Sequence, residues 1–486
     1  MYQYFPPIVL ERQTQTPVYA QIVAQVVSHI RSGRLKRGQR LPGARTLAAR
    51  MQVHRKTLQT ALDELAAQGW LTITARKYTC VARELPEIKI VKAAAYVPTV
   101  FPNKPNFPLR ISKLDLPNAN FQQSGTLLLA EGLPDIRLAP VRQLMRELHT
   151  IEKRGNLKRY FQYGSPQGIP YLRDTLAQHL RDTRSLQVQP AQVMITRGTQ
   201  MGIYLSAAAL VEPGDRVVVG DPGYITSTRT FERLGAQVVR VPVDDQGLDI
   251  DKLEQLCSKK KIRMVYVIPH HHYPTTVTLT LERRIRLLNM AAKYKFVILE
   301  DDYDYDFHYS SSPIAPIASL DNAGNVIYLG TLTKTLMPAL RIGFMVAPEA
   351  VIHEAVTLRR LIDFQGDSVM EAALAELYHH GVIASHIKKA LRTYHERRDS
   401  FCALLNQHLG DRVVFRKPDG GLNVWVHFRK ANLARLCAQA AGEGVLLNDG
   451  TIYNTSHSRN CMRLGFSALD FEEQKRAVRV IEKCSR

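Results

Sequence analysis

Lys334 stands between Thr333 and Thr335, Thr331 lies just upstream, and Arg341 leads into the apolar run Ile342 to Ala347. A lysine held in an apolar pocket beside other cations loses its proton readily and becomes a nucleophile able to form a Schiff base with an aldehyde. The hydroxyls of Thr331 and Thr333 supply donors, and the forked guanidinium of Arg341 suits a phosphate. An aldehyde that carries a phosphate is pyridoxal 5'-phosphate (PLP), and this stretch reads as its pocket. Hydroxyl-lysine-hydroxyl triplets also occur on ordinary exposed turns, so the reading depends on what else the chain brings to the same place.

The elements that must position Lys334 are short strands alternating with helices. Strand patterns fall at Val193–Thr196, Arg216–Val219, Val238–Val241, Met264–Ile268, Phe296–Leu299, Val326–Leu329 and Gly343–Val346. Helical patterns fall at Gln200–Val211, Ser227–Leu234, Leu281–Lys293 and Glu354–Ile362. This alternation predicts an α/β domain with a mostly parallel sheet, whose ligands bind outside the carboxyl ends of the strands. Five further groups sit at or near such ends. Arg197-Gly-Thr-Gln200 closes a strand and opens a helix, where backbone N–H groups can hold a phosphate, although a plain strand-helix turn looks the same. Tyr224 follows the rigid Asp221-Pro-Gly turn and is placed either to stack on a ring or to fill the core. His271-His-Tyr-Pro-Thr275 follows an apolar strand and is placed to line the cofactor's edge, with His270 just before it. The three consecutive histidines do not suggest a metal site, because neighbours on an extended chain point in opposite directions. The strand Phe296–Leu299 delivers Asp301, Asp302 and Tyr303 to one edge. A buried carboxylate there keeps a pyridine nitrogen protonated, and a tyrosine hydroxyl can meet a phenolic oxygen. Arg463 interrupts the apolar Cys461–Phe466 and calls for an anion, either a bound carboxylate or an internal Asp or Glu.

The N-terminal part is of another kind. Apolar residues at helical spacing in Pro17–Arg31 predict one helix, Leu41–Met51 a second and His54–Gln68 a third. The tight link between the last two predicts a helix-turn-helix, and Gly69–Val81 alternates as a β-hairpin wing does. The second helix of such a pair enters a major groove, which makes His54, Arg55, Lys56, Thr57 and Gln59 candidate DNA contacts, with Arg45 on the helix before. Met1–Ala82 holds twelve Lys and Arg against three acidic residues, a surplus available to phosphates. The whole chain of 486 residues carries a net charge of +21, its 45% hydrophobic content fits globular domains, and its length suggests two or three of them. Six prolines between Arg83 and Gln123 mark a linker. The six scattered cysteines suggest buried thiols rather than zinc ligands or a disulfide framework. No apolar run is long enough to cross a membrane, and the start lacks a signal-like core, which points to the cytoplasm.

Two resemblances follow from these stretches. PVYAQI and SGRLKRGQRLPGARTLAARMQVHRKTLQTALDELAAQGWL resemble the winged helix of GntR-family regulators. EGLPDIRLAP, YFQYGSPQGIPYLRDTLAQHL, EPGDRVVVGDPGYITS, PHHHYPTTVTLTLERRIRLL, ILEDDYDYDF, YLGTLTKTLMPALRIGF and CMRLGFSAL resemble fold-type I PLP-dependent aminotransferases. The combination resembles the MocR-type regulators, and implies a winged helix at 1–82, a linker at 83–123 and an aminotransferase-like effector domain at 124–486. By that resemblance Lys334 forms the Schiff base with PLP, Asp301 pairs with the pyridine nitrogen, Tyr303 meets the phenolic oxygen and Tyr224 stacks on the ring. Thr199, Gln200, Thr331, Thr333 and Arg341 hold the phosphate, Arg463 receives a carboxylate, and Tyr163 reaches into the pocket of a second subunit. The expected partners are double-stranded DNA and an amine, an amino acid or PLP itself, in a homodimer. An active aminotransferase with an accessory N-terminal domain is the alternative, and Arg55, Lys56 and Gln59 favour the regulator. Three positions depart from the pattern. Gly43-Ala44 lacks a capping hydroxyl, Thr276 stands where glycine is usual, and Arg197 replaces a small residue, where it would either add a phosphate contact or crowd the pocket.

Overall fold

A run of buried residues four apart on the first helix, Ile22, Val26 and Ile30, meets Leu58, Leu62 and Leu65 of the third, and this contact builds the N-terminal unit. A computed structural model of the chain describes residues 4–12, 14, 16–74, 77–86, 103–109, 125–153, 157–309, 314–453 and 460–485. Its contacts divide it into two compact units, Met1–Ser112 and Lys113–Arg486. In the first, α1 (Val18–Arg31), α2 (Ala44–Arg50) and α3 (Arg55–Ala67) precede a hairpin of β1 (Leu71–Thr74) and β2 (Tyr78–Val81), paired from Leu71↔Val81 to Thr74↔Tyr78. Met51 to His54 forms the turn between α2 and α3, with Gln52 at φ 51°. Gly43 caps α2 without a side-chain hydrogen bond, as its residue type predicts. Most of the sequence-expected linker lies outside the described residues.

The strands of the second unit are β3 (Leu127–Leu128), β4 (Val193–Thr196), β5 (Arg216–Asp221), β6 (Gln237–Asp244), β7 (Gly247–Leu248), β8 (Met264–Val267), β9 (Val297–Asp301), β10 (Val326–Thr331), β11 (Gly343–Val346), β12 (Val413–Phe415), β13 (Asn423–Phe428), β14 (Val445–Leu446) and β15 (Cys461–Gly465). Eight of them form one sheet in the order β4-β11-β10-β9-β8-β5-β6-β7. It is mostly parallel, with β11 running against β10 and β4, and β7 against β6. Side chains alternate between two apolar layers. Val217, Val219, Leu299, Ile327 and Leu329 pack on the helices Gly198–Leu210 and Glu349–Arg360. Val218, Val265, Val267 and Ile298 pack on Ile250–Cys257 and Leu281–Tyr294. Burial on both faces explains why these strands read as near-continuous apolar runs. A three-stranded antiparallel sheet, β12-β13-β15, packs with the helices Val382–Leu409, Leu433–Gly442 and Phe471–Cys484 around a separate core.

Reversal of β11 positions the site. A strand antiparallel to its neighbours starts at the edge where they end, so Gly343 pairs with both Thr331 and Thr196, and Arg341 arrives at the carboxyl edge. The register sets Gly330 opposite Phe344, and a Cβ on Gly330 would lie 2.3 Å from that ring. Phe344 is buried at 2% exposure and has no room to withdraw. We expect Gly330→Ala to destabilise the larger unit by about 1–3 kcal/mol, the usual scale of overpacking. Thermal unfolding followed by near-ultraviolet circular dichroism measures it, and an unchanged transition would contradict the tight register.

Candidate functional site

Asp301 ends β9 and Thr331 ends β10, Lys334 follows three residues later, and the helix Gly198–Leu210 opens directly after β4. These ends meet around a cavity of about 190 Å³. Its walls include Thr199, Gln200, Tyr224, Asp301, Tyr303, Thr331, Thr333, Lys334, Arg341 and Arg463, so all ten residues singled out in the sequence for this pocket come together. Glu131, Gly198, Ile268 and Tyr273 complete it. Sequence reasoning placed Gly198 in a phosphate-holding turn and Tyr273 in a stretch lining the cofactor's edge, but gave Glu131 and Ile268 no role. Glu131 lies ahead of the described strands of the eight-stranded sheet, and Tyr273 was overshadowed by the histidines beside it.

Lys334 Nζ donates to the Gly132 carbonyl at 2.7 Å. Burial pulls its ammonium below the ordinary lysine value, with Arg463 and Arg341 adding repulsion and Glu131 and Asp304 opposing it. Asp301 Oδ2 accepts from the Tyr266 hydroxyl at 2.7 Å, while Oδ1 is buried without a partner. Burial raises the Asp301 carboxyl to about 7, the Tyr266 bond opposes the rise, and Asp302 and Asp304 add to it. Tyr303 donates to the His271 carbonyl at 3.1 Å and accepts from Arg463 at 2.9 Å. Tyr224 meets Tyr273 edge-on at 5.1 Å, and the Arg463 guanidinium lies 4.3 Å from the centre of the Tyr273 ring.

On the phosphate side, the opening turn of Gly198–Leu210 presents N–H groups and the positive end of a helix dipole. Gly198 has φ 72°, and a Cβ there would come within 3.0 Å of the Arg341 guanidinium. Thr331 commits its proton to the Ile342 carbonyl and accepts from the Thr333 N–H, so it braces the loop, and Thr333 Oγ1 is left unpartnered. Gln200 donates to Thr230, which leaves its own oxygen free. Arg197 neither contacts the cavity nor crowds it, because its Nε pairs with Asp363 at 2.9 Å. Thr276 holds φ 62°, so a β-branched residue keeps the left-handed backbone that glycine would take. The three histidines have separate partners, with His270 on Asp302, His271 on Asp304 and His272 on Thr275.

These donors and acceptors suit PLP. An unpartnered buried carboxylate oxygen fits a protonated ring nitrogen. A helix N-terminus with Thr333 and Arg341 fits a phosphate, and a lysine of weakened basicity fits the aldehyde. Tyr163 is 86% exposed and edge-on to Phe364, and is not among the residues that line the cavity. In the N-terminal unit Arg45, Arg55 and Lys56 are exposed and Thr57 is half-buried. His54 caps α3, its Nδ1 accepting from the Lys56 N–H at 3.2 Å, and Gln59 donates to Asp63 at 2.8 Å. Both therefore have a helix-stabilising contact of their own. Among the described residues no helix is long and apolar enough to cross a membrane.

The raised Asp301 carboxyl has a pH signature in cofactor-free protein. Its ordinary value is 3.8 and its folded value about 7, so the folded state binds the extra proton between them. Stability from this group is therefore present below about pH 4, falls as pH rises through that window, and is flat above it. We expect the melting temperature of cofactor-free wild type to fall relative to Asp301→Asn between pH 4.5 and 8, measured by scanning calorimetry. A constant difference would mean that the carboxylate is ionised throughout.

Comparison with known proteins agrees with both units. Residues 18–81 match the bacterial regulatory proteins of the gntR family, and residues 126–481 match aminotransferase class I and II. The chain is 30% identical over 442 residues to the probable rhizopine catabolism regulatory protein MocR of Rhizobium meliloti, covering 90% of this chain and 87% of that protein. The multiple substrate aminotransferase of Thermococcus profundus superposes with a TM-score of 0.70 at 28% identity, over 75% of this chain and 92% of its own. The α-aminoadipate aminotransferase LysN of Thermus thermophilus, solved with N-(5'-phosphopyridoxyl)-L-leucine, gives 0.69 at 26% identity, over 74% and 92%. PLP is the cofactor that the larger domain implies. A GntR winged helix followed by a class I and II aminotransferase domain places this chain among the MocR-type regulators of the GntR family.

Proposed function

We propose that the protein is a cytoplasmic, homodimeric transcription regulator in which residues 1–82 bind double-stranded DNA and residues 124–486 bind PLP through Lys334 and respond to an amine, an amino acid or PLP itself. The observation that carries this reading is the convergence of Lys334, Asp301, Tyr303 and the phosphate donors on one cavity. When bound, PLP supplies an electrophilic carbon for amines and a ring able to withdraw electrons from it. Lys334 would hold the aldehyde carbon, its proton already loosened by burial. Asp301 Oδ1 would hold a proton on the pyridine nitrogen, and the arriving cation would keep the carboxylate ionised. Tyr303 would meet the phenolic oxygen, and Tyr224 would stack on the ring. The N–H groups of Gly198–Gln200, with Thr333 and Arg341, would bind the phosphate. Arg463 would take an effector carboxylate, which suits a buried arginine whose Nε has no partner.

On the DNA side, Arg55 and Lys56 emerge at the exposed start of α3 and Arg45 on the first turn of α2, a helix-turn-helix arrangement suited to phosphates and base edges. Phe161 and Tyr163 are 72% and 86% exposed, which supports their being covered by a second subunit. Effector binding would change the arrangement of the two units and so the DNA affinity, a coupling that must act equally in both directions. Transamination by the same domain is a second reading, favoured by the presence of both Lys334 and Asp301 in the cavity.

Two measurements test the proposal. Wild type mixed with PLP is expected to develop visible absorbance that Lys334→Ala lacks. Its absence in wild type would remove the cofactor assignment, and absorbance without sequence-specific DNA binding would favour the aminotransferase. Lys56→Ala is expected to weaken binding to all DNA sequences alike and to lower the slope of log affinity against log salt by about 0.9, the value of one lost phosphate contact. An unchanged slope would place Lys56 off the backbone.

A further inference from the structure

Arg463, on β15, is 3% exposed, and among the described residues no Asp or Glu pairs with it. Its Nη2 donates to the Tyr303 hydroxyl at 2.9 Å, and its Nε is buried without a partner. Its guanidinium carbon lies over the Tyr273 ring, 4.3 Å from the centre. An aromatic face attracts a cation through the ring's negative quadrupole and consumes none of its N–H donors. Tyr273 therefore offsets part of what Arg463 loses on leaving water, and leaves its fork available to a ligand in the cavity that both residues line.

The position of that ring is set by a closed circuit of contacts. β13 and β15 pair with Trp425 opposite Arg463, and cross-strand partners share a face of the sheet. Trp425 meets Tyr453 edge-on at 5.3 Å, and Tyr453 meets Tyr273 edge-on at 5.8 Å. The hydroxyls of Tyr273 and Tyr453 share a hydrogen bond of 2.6 Å, and Tyr224 meets the Tyr273 ring edge-on at 5.1 Å. The circuit leaves Arg463 through Trp425 and Tyr453 and returns to it through Tyr273. Its members fix one another, and the ring has no freedom to drift from the guanidinium.

A single hydrogen bond to Tyr303 leaves a guanidinium free to turn about that bond, whereas a ring against one side restricts the turn. Two parallel N–H bonds to a carboxylate form only when the fork is held in a fixed plane. We propose that Tyr273 is a positioning residue whose ring face holds Arg463 in the orientation that receives the effector's carboxylate. It thereby sets the preference of the cavity for amino acids over the corresponding amines that lack the carboxylate. The inference rests on the reading of Arg463 as the group that takes that carboxylate. The ring rather than the hydroxyl carries the effect, because the hydroxyl is committed to Tyr453.

The test uses the full-length chain loaded with PLP, whose visible spectrum is titrated with L-norvaline against butan-1-amine and with L-phenylalanine against 2-phenylethylamine. Each amine is its amino acid without the carboxylate. The ratio of half-saturation concentrations, amine over amino acid, is compared between variants, so that amine basicity and the side-chain contacts shared within a pair cancel. Tyr273→Leu and Tyr273→Met, which remove the ring, are each expected to lower this ratio about tenfold, the scale of a cation–π contact removed from water. Tyr273→Phe, which keeps the ring, is expected to retain most of it, and Arg463→Gln to lower it at least as far as the loss of the ring. A ratio unchanged by Tyr273→Leu and Tyr273→Met, or lowered as far by Tyr273→Phe, would overturn the role of Tyr273 while leaving Arg463 in its own. A wild type that responds to none of the four compounds, or a ratio that Arg463→Gln leaves unchanged, defeats the reading of Arg463 and the role of Tyr273 with it. The spectrum with PLP alone is recorded first, and absence of the visible band from wild type defeats the reading of the cavity as a whole.

Discussion

Strands can bring an arginine, a pair of hydroxyls and a helix N-terminus to one point only if their backbones approach more closely than side chains normally allow. At the carboxyl edge of the large sheet this happens where β11 is inserted between β4 and β10. A Cβ on Gly343 would lie 2.8 Å from Gly198 Cα and 2.8 Å from the Gly330 carbonyl oxygen, so the three chains touch backbone to backbone. The contact brings Arg341 against the opening turn of Gly198–Leu210 and sets Thr331 beside both. A strand of the usual parallel sense would have carried Arg341 to the opposite edge. The phosphate side of the cavity therefore follows from one reversal of chain direction and the missing side chains that permit it.

Charge burial is the second constraint, and the cavity meets it without full neutralisation. Lys334 is deprived of water and faces two arginines, so its proton is held weakly, while Gly132 gives its nitrogen a fixed direction. Asp301 is deprived of water too, but its one hydrogen bond leaves an oxygen bare. Leaving such groups unpaired costs stability on the order of 1–3 kcal/mol each, and sites that bind a charged ligand characteristically carry that cost until the ligand arrives. The neighbouring buried charges are treated differently. Asp302 takes His270 and the Tyr328 hydroxyl, Glu300 takes the N–H groups of Ile317 and Ala318, and Arg284 reaches the carbonyls of Leu279, Pro269 and Ala315. The contrast between these satisfied groups and the bare oxygens of Asp301 and Thr333 in the cavity marks where a ligand belongs.

Much of this was legible in the sequence because the signals were local. Apolar runs of four to six residues gave the strands, with Val193–Thr196 and Gly343–Val346 matching to the residue. Chemical type at strand ends gave the cavity wall. What the sequence could not carry was direction and partnership. The reversal of β11 is invisible in an apolar tetrapeptide. That Thr331, on the cavity wall, also donates to the Ile342 carbonyl, and that Arg197 pairs with Asp363, are partnerships no local pattern encodes. His54, the cap of α3, and Gln59, within it, are exposed, and the contact that each makes with its own helix is equally invisible in the sequence. Glu131 was missed for a different reason, since its relation to Lys334 depends on a contact across about two hundred residues that no local pattern encodes.

The lysine loop is consequently held from two sides that differ in kind. Behind it, Thr335 donates to Asp306 at 3.0 Å, Asp306 pairs with Arg184, and Arg184 also bonds to Tyr328, which reaches Asp302. His386, on the helix Val382–Leu409, contacts the Thr335 carbonyl at 2.8 Å. Such a buried network resists displacement, because moving one member strands the others without partners. In front, Lys334 is held by one hydrogen bond to Gly132, on the segment that carries Glu131 and rests on β15 beside Arg463. A ligand that engages Lys334 must break that single bond. The network behind fixes where the lysine sits, and the single bond in front leaves its nitrogen open to exchange.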